Sequence, residues 1–468
     1  MRSPVRTIAI VGGGFCGTVL ATRLLRQPPE EPSRIVLIER REEVGRGVAY
    51  QPSPSGPLLN VPAGRMSADA ADPLQFANFA HDRNPGVSAH SFLPRALYGE
   101  YLQQLLQQAQ QVAPARVDFQ RIRAEASALH RIATDGPYLL SLSPDQQLLA
   151  DDVVLACGDP PPVDPVCVAG IAGHASYLGN PHCNPPLGSD CTSLLVIGAG
   201  LTMVDVALGA AAANPRIRIH AISRHGLLPG VQNSTPLPRS DGSESELRFM
   251  SHLGSGPISA RLLLQGFRAL CRELRQQGRH WRDAVTAARE VAPALWQRMP
   301  EQERSRFLRH LRVYWDVHRH RMPPSIEQRL RQLRRSGRLC VHAGRVLRMD
   351  AVGGAALQVR WRPRGAVAVR QLLVDQVINC AGTDHRLTRT GDPLQQAMMA
   401  SGLAVADRLG LGWRTGPHGA LIDADGRSAR HLFYLGPMLR ADHWEATAVA
   451  ELRLHAQQLA AALVQIRA

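Results

Sequence analysis

The chain has 468 residues, 44% of them apolar and 20% charged, with a formal net charge of +15. That length is about three times a 150-residue domain, so two or three domains with a large core are expected, and the composition excludes a disordered, collagen-like or disulfide-scaffold chain. All 54 basic residues are arginine, and without a lysine neither a P-loop nor a pyridoxal-phosphate Schiff base can be built.

Residues 7–11 (TIAIV) read as a short buried strand. The apolar stretch there is about five residues, where a signal-peptide core needs roughly seven to fifteen, and no run approaches a membrane span; a cytoplasmic protein is expected. The strand runs into GGGFCG, residues 18–25 follow with helical apolar spacing, and RIVLIE over 34–39 reads as a second strand. Gly12, Gly14 and Gly17 thus form GxGxxG between strand and helix. The first glycine makes the tight turn, the second admits a pyrophosphate to backbone N–H groups, and the third lets helix and strand pack closely. Glu39, ending the next strand, can accept from ribose hydroxyls; an ordinary glycine-rich turn would leave it unexplained.

Residues 103–111 suit a helix, a strand-rich stretch leads to DVVLACG over 152–158, and the Pro- and Gly-rich residues 159–186 read as a connection. The grammar then repeats: strand LLVI (194–197), GAGL, a helix over 202–213 and a strand over 217–223. Gly198 and Gly200 stand where the first two glycines stood and Thr202 opens the helix. Met203 takes the third glycine's place, which is expected to set that helix slightly off its strand. The next strand ends in Ser223-Arg224-His225 instead of an acid. Arg224 can pair with a 2′-phosphate that a carboxylate would repel, favouring NADPH over NADH; the alternative is a plain surface arginine.

Residues 241–256 look like loop, and residues 258–337 carry apolar side chains at helical spacing, predicting a helical insertion over about 245–340. Between 261 and 349 there are 21 arginines against seven acids. Because arginine replaces lysine throughout, solvated helix faces explain this excess and nucleic-acid binding is disfavoured. Residues 372–382 (LLVDQVINCAG) echo 152–158, so the chain is expected to return to its first domain and finish in a helix over 445–466. The expected fold is α/β, with two Rossmann-like dinucleotide-binding domains: an FAD-binding domain over 1–190 and 346–468, and an NADP-binding domain over 191–345 that carries the insertion. Two such units, one ending in an acid and one tolerant of phosphate, point to FAD reduced by NADPH and to a small-molecule substrate.

The eight cysteines show no CxxC and no metal-ligand spacing, and are expected to be mostly buried thiols. A dithiol reductase is disfavoured because residues 40–66 hold no cysteine. His318 and His320 in HRHR would need a strand to face one metal, whereas this region is helical or turning, so no metal is expected. Arg319, His320 or Arg321 could face an anionic substrate or the nicotinamide phosphates, or merely cap a helix. No catalytic acid or base can be named, and nothing specifies an oligomeric state.

Nearly the whole chain resembles the bacterial FAD/NAD(P)-binding proteins of the YdhS-like family, distantly similar to flavin-containing and N-hydroxylating monooxygenases. The resemblance rests on GVAY (47–50), LNVPAGRMS (59–67), FLPR (92–95), YGEYL (98–102), GAGLTMVD (198–205), SRHGLLP (223–229), WDVHRHR (315–321), LGP (435–437) and WEATAV (444–449). It implies that residues 60–66, with Asn60, Val61, Arg65 and Met66, lie along the flavin. It also implies that Gly436 and the first turn of the last helix approach the ring, where a helix N-terminus would stabilise negative charge. The residues alone also allow an Asx-turn cap at Asn60 and a loop glycine at 436. The implied activity is an NADPH-dependent flavoprotein oxidoreductase that oxygenates a nitrogen, sulfur or carbon. A reductase or dehydrogenase without oxygenation, and a non-enzymatic dinucleotide-binding sensor or scaffold, are the alternatives.

Overall fold

The computed structural model describes residues 5–53, 55–133, 136–183, 187, 190–232, 242–354 and 356–466. Two sheets organise it. The first has six strands in the order Ala420–Ile422, Ser428–Tyr434, Asp152–Leu155, Arg6–Val11, Ser33–Ile38, Val117–Ile122, and only its first pair is antiparallel. Its central strands are apolar on both faces, as a parallel sheet covered on both sides demands. Helix Phe15–Arg26 returns the chain from the first strand and packs against Arg95–Val112 and Val449–Gln465.

A buried charge network closes this layer. Arg6, 2% exposed, donates from Nε to Asp152 Oδ2 at 2.8 Å and from Nη1 to the carbonyls of Leu463 and Ile466. Asp152, fully buried, also pairs with His431 Nδ1 at 2.9 Å. The C-terminal helix is thereby tied to the opening strand through hydrogen bonds that satisfy otherwise costly buried charges.

The second sheet has seven strands, ordered Arg370–Val374, Leu357–Pro363, Leu339–Ala351, Arg218–Ser223, Ser193–Ile197, Gln376–Asn379, Tyr177–Leu178. This moves the expected domain limits. Residues 357–379 do not belong to the first sheet: Gln376–Asn379 pairs in parallel with Ser193–Ile197, so the return comes after Asn379, not at 346. Gln376–Asn379 relates to the second unit as Asp152–Leu155 relates to the first, and the echo seen in sequence marks equivalent strands of two units. Likewise Tyr177–Leu178 is already an edge of the second sheet, ahead of the boundary at 190. Helix Pro324–Arg335, expected within the insertion, buries Ile326, Leu330 and Leu333 in the core of the second sheet and serves as its crossover helix.

The insertion proper comprises helices Gly242–Leu253, Ala260–Gln276, Arg282–Arg298, Glu301–His310 and Arg312–Arg319. The first replaces most of the loop expected over 241–256; Asp241 itself lies outside the described residues. Phe249 and Leu253, four apart on one helix face, are buried against Leu270 and Leu274, and this packing overrides the serines and glycines that suggested a loop. The same core takes in Leu411, Ala441 and Trp444, so the insertion is anchored on the C-terminal segment.

Among the described residues, no helix is long and apolar enough to cross a membrane. No group of three or more His, Cys, Asp or Glu side chains is arranged to hold a metal among them. The cysteines are less buried than expected: Cys16, Cys191 and Cys380 are buried, Cys167, Cys271 and Cys340 half-buried, and Cys157 exposed. The side chain of Cys183 lies outside the described residues.

Candidate functional site

At the C-terminal edge of each sheet the chain makes the same turn. Gly12 (φ +109°) and Gly198 (φ +112°) leave their strands in a conformation that favours glycine. Gly12 N donates to Ile38 O and Gly198 N to Ile222 O, both at 2.8 Å. A Cβ on Gly12 would stand 2.4 Å from Ala156 O, and one on Gly198 2.3 Å from Cys380 O. Neither position admits a side chain. Gly14 and Gly200 are the N-caps of the following helices, which have no side-chain cap and no acid in the first turn. A Cβ at Gly200 would meet nothing within 4 Å, and at Gly14 only Gly47 Cα at 3.5 Å. Open space in front of uncapped helix N–H groups is what a pyrophosphate requires, so both turns fit a dinucleotide.

The turns differ beyond their second glycine. In the first, a Cβ on Gly17 would fall 1.9 Å from Gly12 O, so only glycine allows this helix its approach to the strand. In the second, Met203 is fully buried among Val196, Val204 and Ala207. A side chain that size would not fit at the approach Gly17 allows the first helix. Thr202 lies half-buried in the first turn of that helix.

Glu39, 7% exposed, closes the first unit. Its Oε2 accepts from Gly13 N at 2.7 Å and Oε1 from Arg41 N at 3.0 Å. The carboxylate is thus held at the glycine turn. Arg224 closes the second unit, exposed, beside His225. A third group joins them that sequence reading missed: Arg364, in the turn after strand Leu357–Pro363, donates from Nη1 to His225 Nδ1 at 3.1 Å. Burial, Arg364 and Arg224 hold the His225 pKa below its usual value. Only sheet pairing brings residue 364 to 225; no spacing in the chain signals it.

The two units meet across residues 55–66. Arg95 Nη2 pairs with Asp205 Oδ2 at 2.8 Å, and Gln232 Nε2 donates to Asn60 O at 2.9 Å. Asn60 makes no side-chain hydrogen bond among the described residues, so the Asx-turn cap is not formed. Ala63–Arg65 is a short 3-10 turn held by Ala63 N to Ser91 O and Gly64 N to Ala89 O. Val61 is half-buried, Met66 buried and Arg65 exposed. Gly436 (φ +156°) leaves strand Ser428–Tyr434 beside the Tyr434 hydroxyl, which donates to Gly158 O at 3.1 Å. The last helix does not begin there: a 3-10 turn, Pro437–Ala441, intervenes before Val449.

Helix Arg312–Arg319 carries the HRHR segment to this junction. Arg319 Nε pairs with Glu445 Oε2 at 2.6 Å, and Trp315 Nε1 donates to Glu445 Oε1 at 3.0 Å. Burial and the neighbouring Arg319, Arg440, Arg289 and Arg312 push the His320 pKa down to about 3, so it is a neutral imidazole. His318 lines an open apolar cavity of about 150 Å³ in the insertion, walled by Phe267, Trp296, Phe307, Trp315 and Trp444 among others.

Residues 9–160 match the sequence model of an FAD-NAD(P)-binding family. The fold extends that likeness to the whole chain. Ornithine N-hydroxylase from Kutzneria sp. 744, solved with reduced FAD, NADP+ and L-ornithine, superimposes with a TM-score of 0.62 at 15% identity, covering 98% of this chain and 99% of that one. Ornithine hydroxylase from Pseudomonas aeruginosa gives 0.63 at 14% identity, with 99% of each chain covered. L-lysine 6-monooxygenase from Pseudomonas syringae gives 0.62 at 15%, covering 98% and 99%. No curated protein sequence matches the chain. At these identities the superpositions establish the architecture: an α/β fold with two Rossmann-like dinucleotide-binding units.

Proposed function

We propose that the chain is an NADPH-dependent FAD oxidoreductase of the YdhS-like bacterial flavoproteins, cytoplasmic, and that it oxygenates a nitrogen, sulfur or carbon of a small molecule. The observation that carries this reading is the pair of uncapped glycine turns in one chain, joined through Arg95–Asp205 and Gln232–Asn60. Three structural neighbours, each a hydroxylase or monooxygenase by name, share both units end to end.

In this reading Gly12, Gly14, Gly17 and Glu39 hold the adenosine diphosphate half of FAD, and Asn60, Val61, Arg65, Met66 and Gly436 line the path of its ring. Gly198, Gly200 and Thr202 receive the NADPH pyrophosphate, and Arg224, whose chain neighbour His225 is held by Arg364, receives the 2′-phosphate. Bound there, FAD supplies two-electron chemistry, accepting a hydride from NADPH and passing its electrons to oxygen or an organic acceptor. The chain's own contribution is positioning. Glu39 is fixed through Gly13 N and Arg41 N, so its carboxylate is oriented before a ribose arrives. Gln232 and Arg95 hold the two units at one separation. Trp444 stacks on Trp296 and takes Phe307 edge-on at the anchoring face of the insertion, and the three rings keep water from it.

The test is direct. Purified protein should show flavin absorbance that NADPH bleaches anaerobically, and air should then restore it faster with a true substrate present. Protein that stays colourless after soaking in FAD would refute the proposal; bleaching followed by oxygen uptake with no oxygenated product would leave a reductase.

A further inference from the structure

Arg440 is the one deeply buried arginine without an anionic partner among the described residues. It lies on the 3-10 turn that follows Gly436 and is 8% exposed. Its guanidinium stacks over the Trp444 ring at 4.4 Å, and its Nε is buried with no hydrogen-bond partner. The two other arginines as deeply buried are paired, Arg6 with Asp152 and Arg46 with Glu43. A guanidinium cannot shed its proton to escape burial, so leaving one unpaired in a folded protein carries a large cost.

The nearby carboxylates are engaged elsewhere. Asp316 pairs with Arg312, Asp159 with His385 at 2.8 Å, and Glu445 with Arg319 and Trp315. Arg319 brings a second buried donor, Nη2, that also has no partner. His320, the remaining titratable group in this cluster, is neutral. The face where the insertion meets the C-terminal segment thus holds excess positive charge with unused N–H donors. Trp444, the ring under Arg440, also walls the apolar cavity of about 150 Å³, a size that accommodates a benzene-sized group.

We propose that this junction is the substrate site and that the substrate is a small organic carboxylic acid, its carboxylate on Arg440 and its apolar body against the Trp444 side of the insertion. The inference rests on the oxidoreductase reading only in calling the occupant a substrate; carboxylate binding itself is independent of flavin.

Calorimetric titration of the purified full-length protein, with flavin content recorded for each sample, decides it. Phenylacetate should bind at least about tenfold more tightly than 2-phenylacetamide, which has the same shape without the charge. Arg440→Gln should weaken phenylacetate about tenfold and leave the amide unchanged, while Arg440→Lys should recover most of the loss. Equal binding of acid and amide, binding of neither, or full phenylacetate affinity in Arg440→Gln would overturn the proposal. Inorganic phosphate that binds more tightly than phenylacetate and loses that binding in Arg440→Gln would also overturn it, by assigning the site to a phosphate. Should Arg440→Gln fail to fold, the acid-to-amide ratio of the unaltered protein is decisive by itself. Colourless protein that still prefers the acid would refute the redox reading alone; bleachable protein without that preference would refute this inference alone.

Discussion

The turn after Val11 and the turn after Ile197 share a strand, a positive-φ glycine against a neighbouring carbonyl, and an uncapped helix, yet they differ at each position that distinguishes one nucleotide from another. Gly13 stands where a Cβ would press on Glu39 Cβ at 2.9 Å; the corresponding Ala199 carries its methyl, because its counterpart strand ends in the smaller Ser223. Gly17 permits contact that Met203 forbids. Asp152 holds the Arg6 that bonds the end of the C-terminal helix, while the equivalent residue of the second unit is Gln376. The strand-to-helix turn therefore specifies that a pyrophosphate can bind, whereas the end of the following strand specifies whose ribose accompanies it. On the proposed assignment, the unit tied to the C-terminal helix by buried Arg6 would hold the prosthetic group and the other the coenzyme that exchanges.

The contrast between the units is most exposed to test at the clamp. Asp152→Ala should leave buried Arg6 with only the partly exposed Glu31 as counter-charge and lower unfolding stability by about 3 kcal/mol in urea titration, whereas Gln376→Ala should cost under about 1 kcal/mol. Gly17→Ala comes next: its methyl would meet Gly12 O, so a loss of about 3 kcal/mol and of bound flavin absorbance is expected. At the other unit, Arg224→Ala should raise KM for NADPH about tenfold and leave that for NADH unchanged; equal effects on both would remove the 2′-phosphate assignment. Arg364→Ala should act in the same direction but only about threefold, since its guanidinium reaches the site through His225.

Both glycine turns were legible because they are local: strand, turn and helix lie within about fifteen residues, and each glycine answers a steric demand made by its own neighbours. Glu39 was legible for the same reason, as the end of the next strand. The first insertion helix was not, because Gly242–Leu253 draws its stability from Leu270 and Leu274 and not from its own serine-rich opening. The point of return to the first sheet was misplaced because a repeated strand pattern does not say which sheet it joins; pairing with Ser193–Ile197 does.

Sequence alone determined the two dinucleotide cradles, the α/β class and the arginine-rich helical insertion, since all are written in spacing and composition over short stretches of chain. Tertiary structure alone decided that Arg364 meets His225, the chain neighbour of Arg224, that Arg6 meets Asp152, and that Arg440 is buried with no ion-pair partner among the described residues. Each of these depends on residues far apart in the chain, 146 positions for Arg6 and Asp152 and 139 for Arg364 and His225, being brought within hydrogen-bond reach or kept from it. Burial and charge pairing are properties of that packing rather than of any one segment.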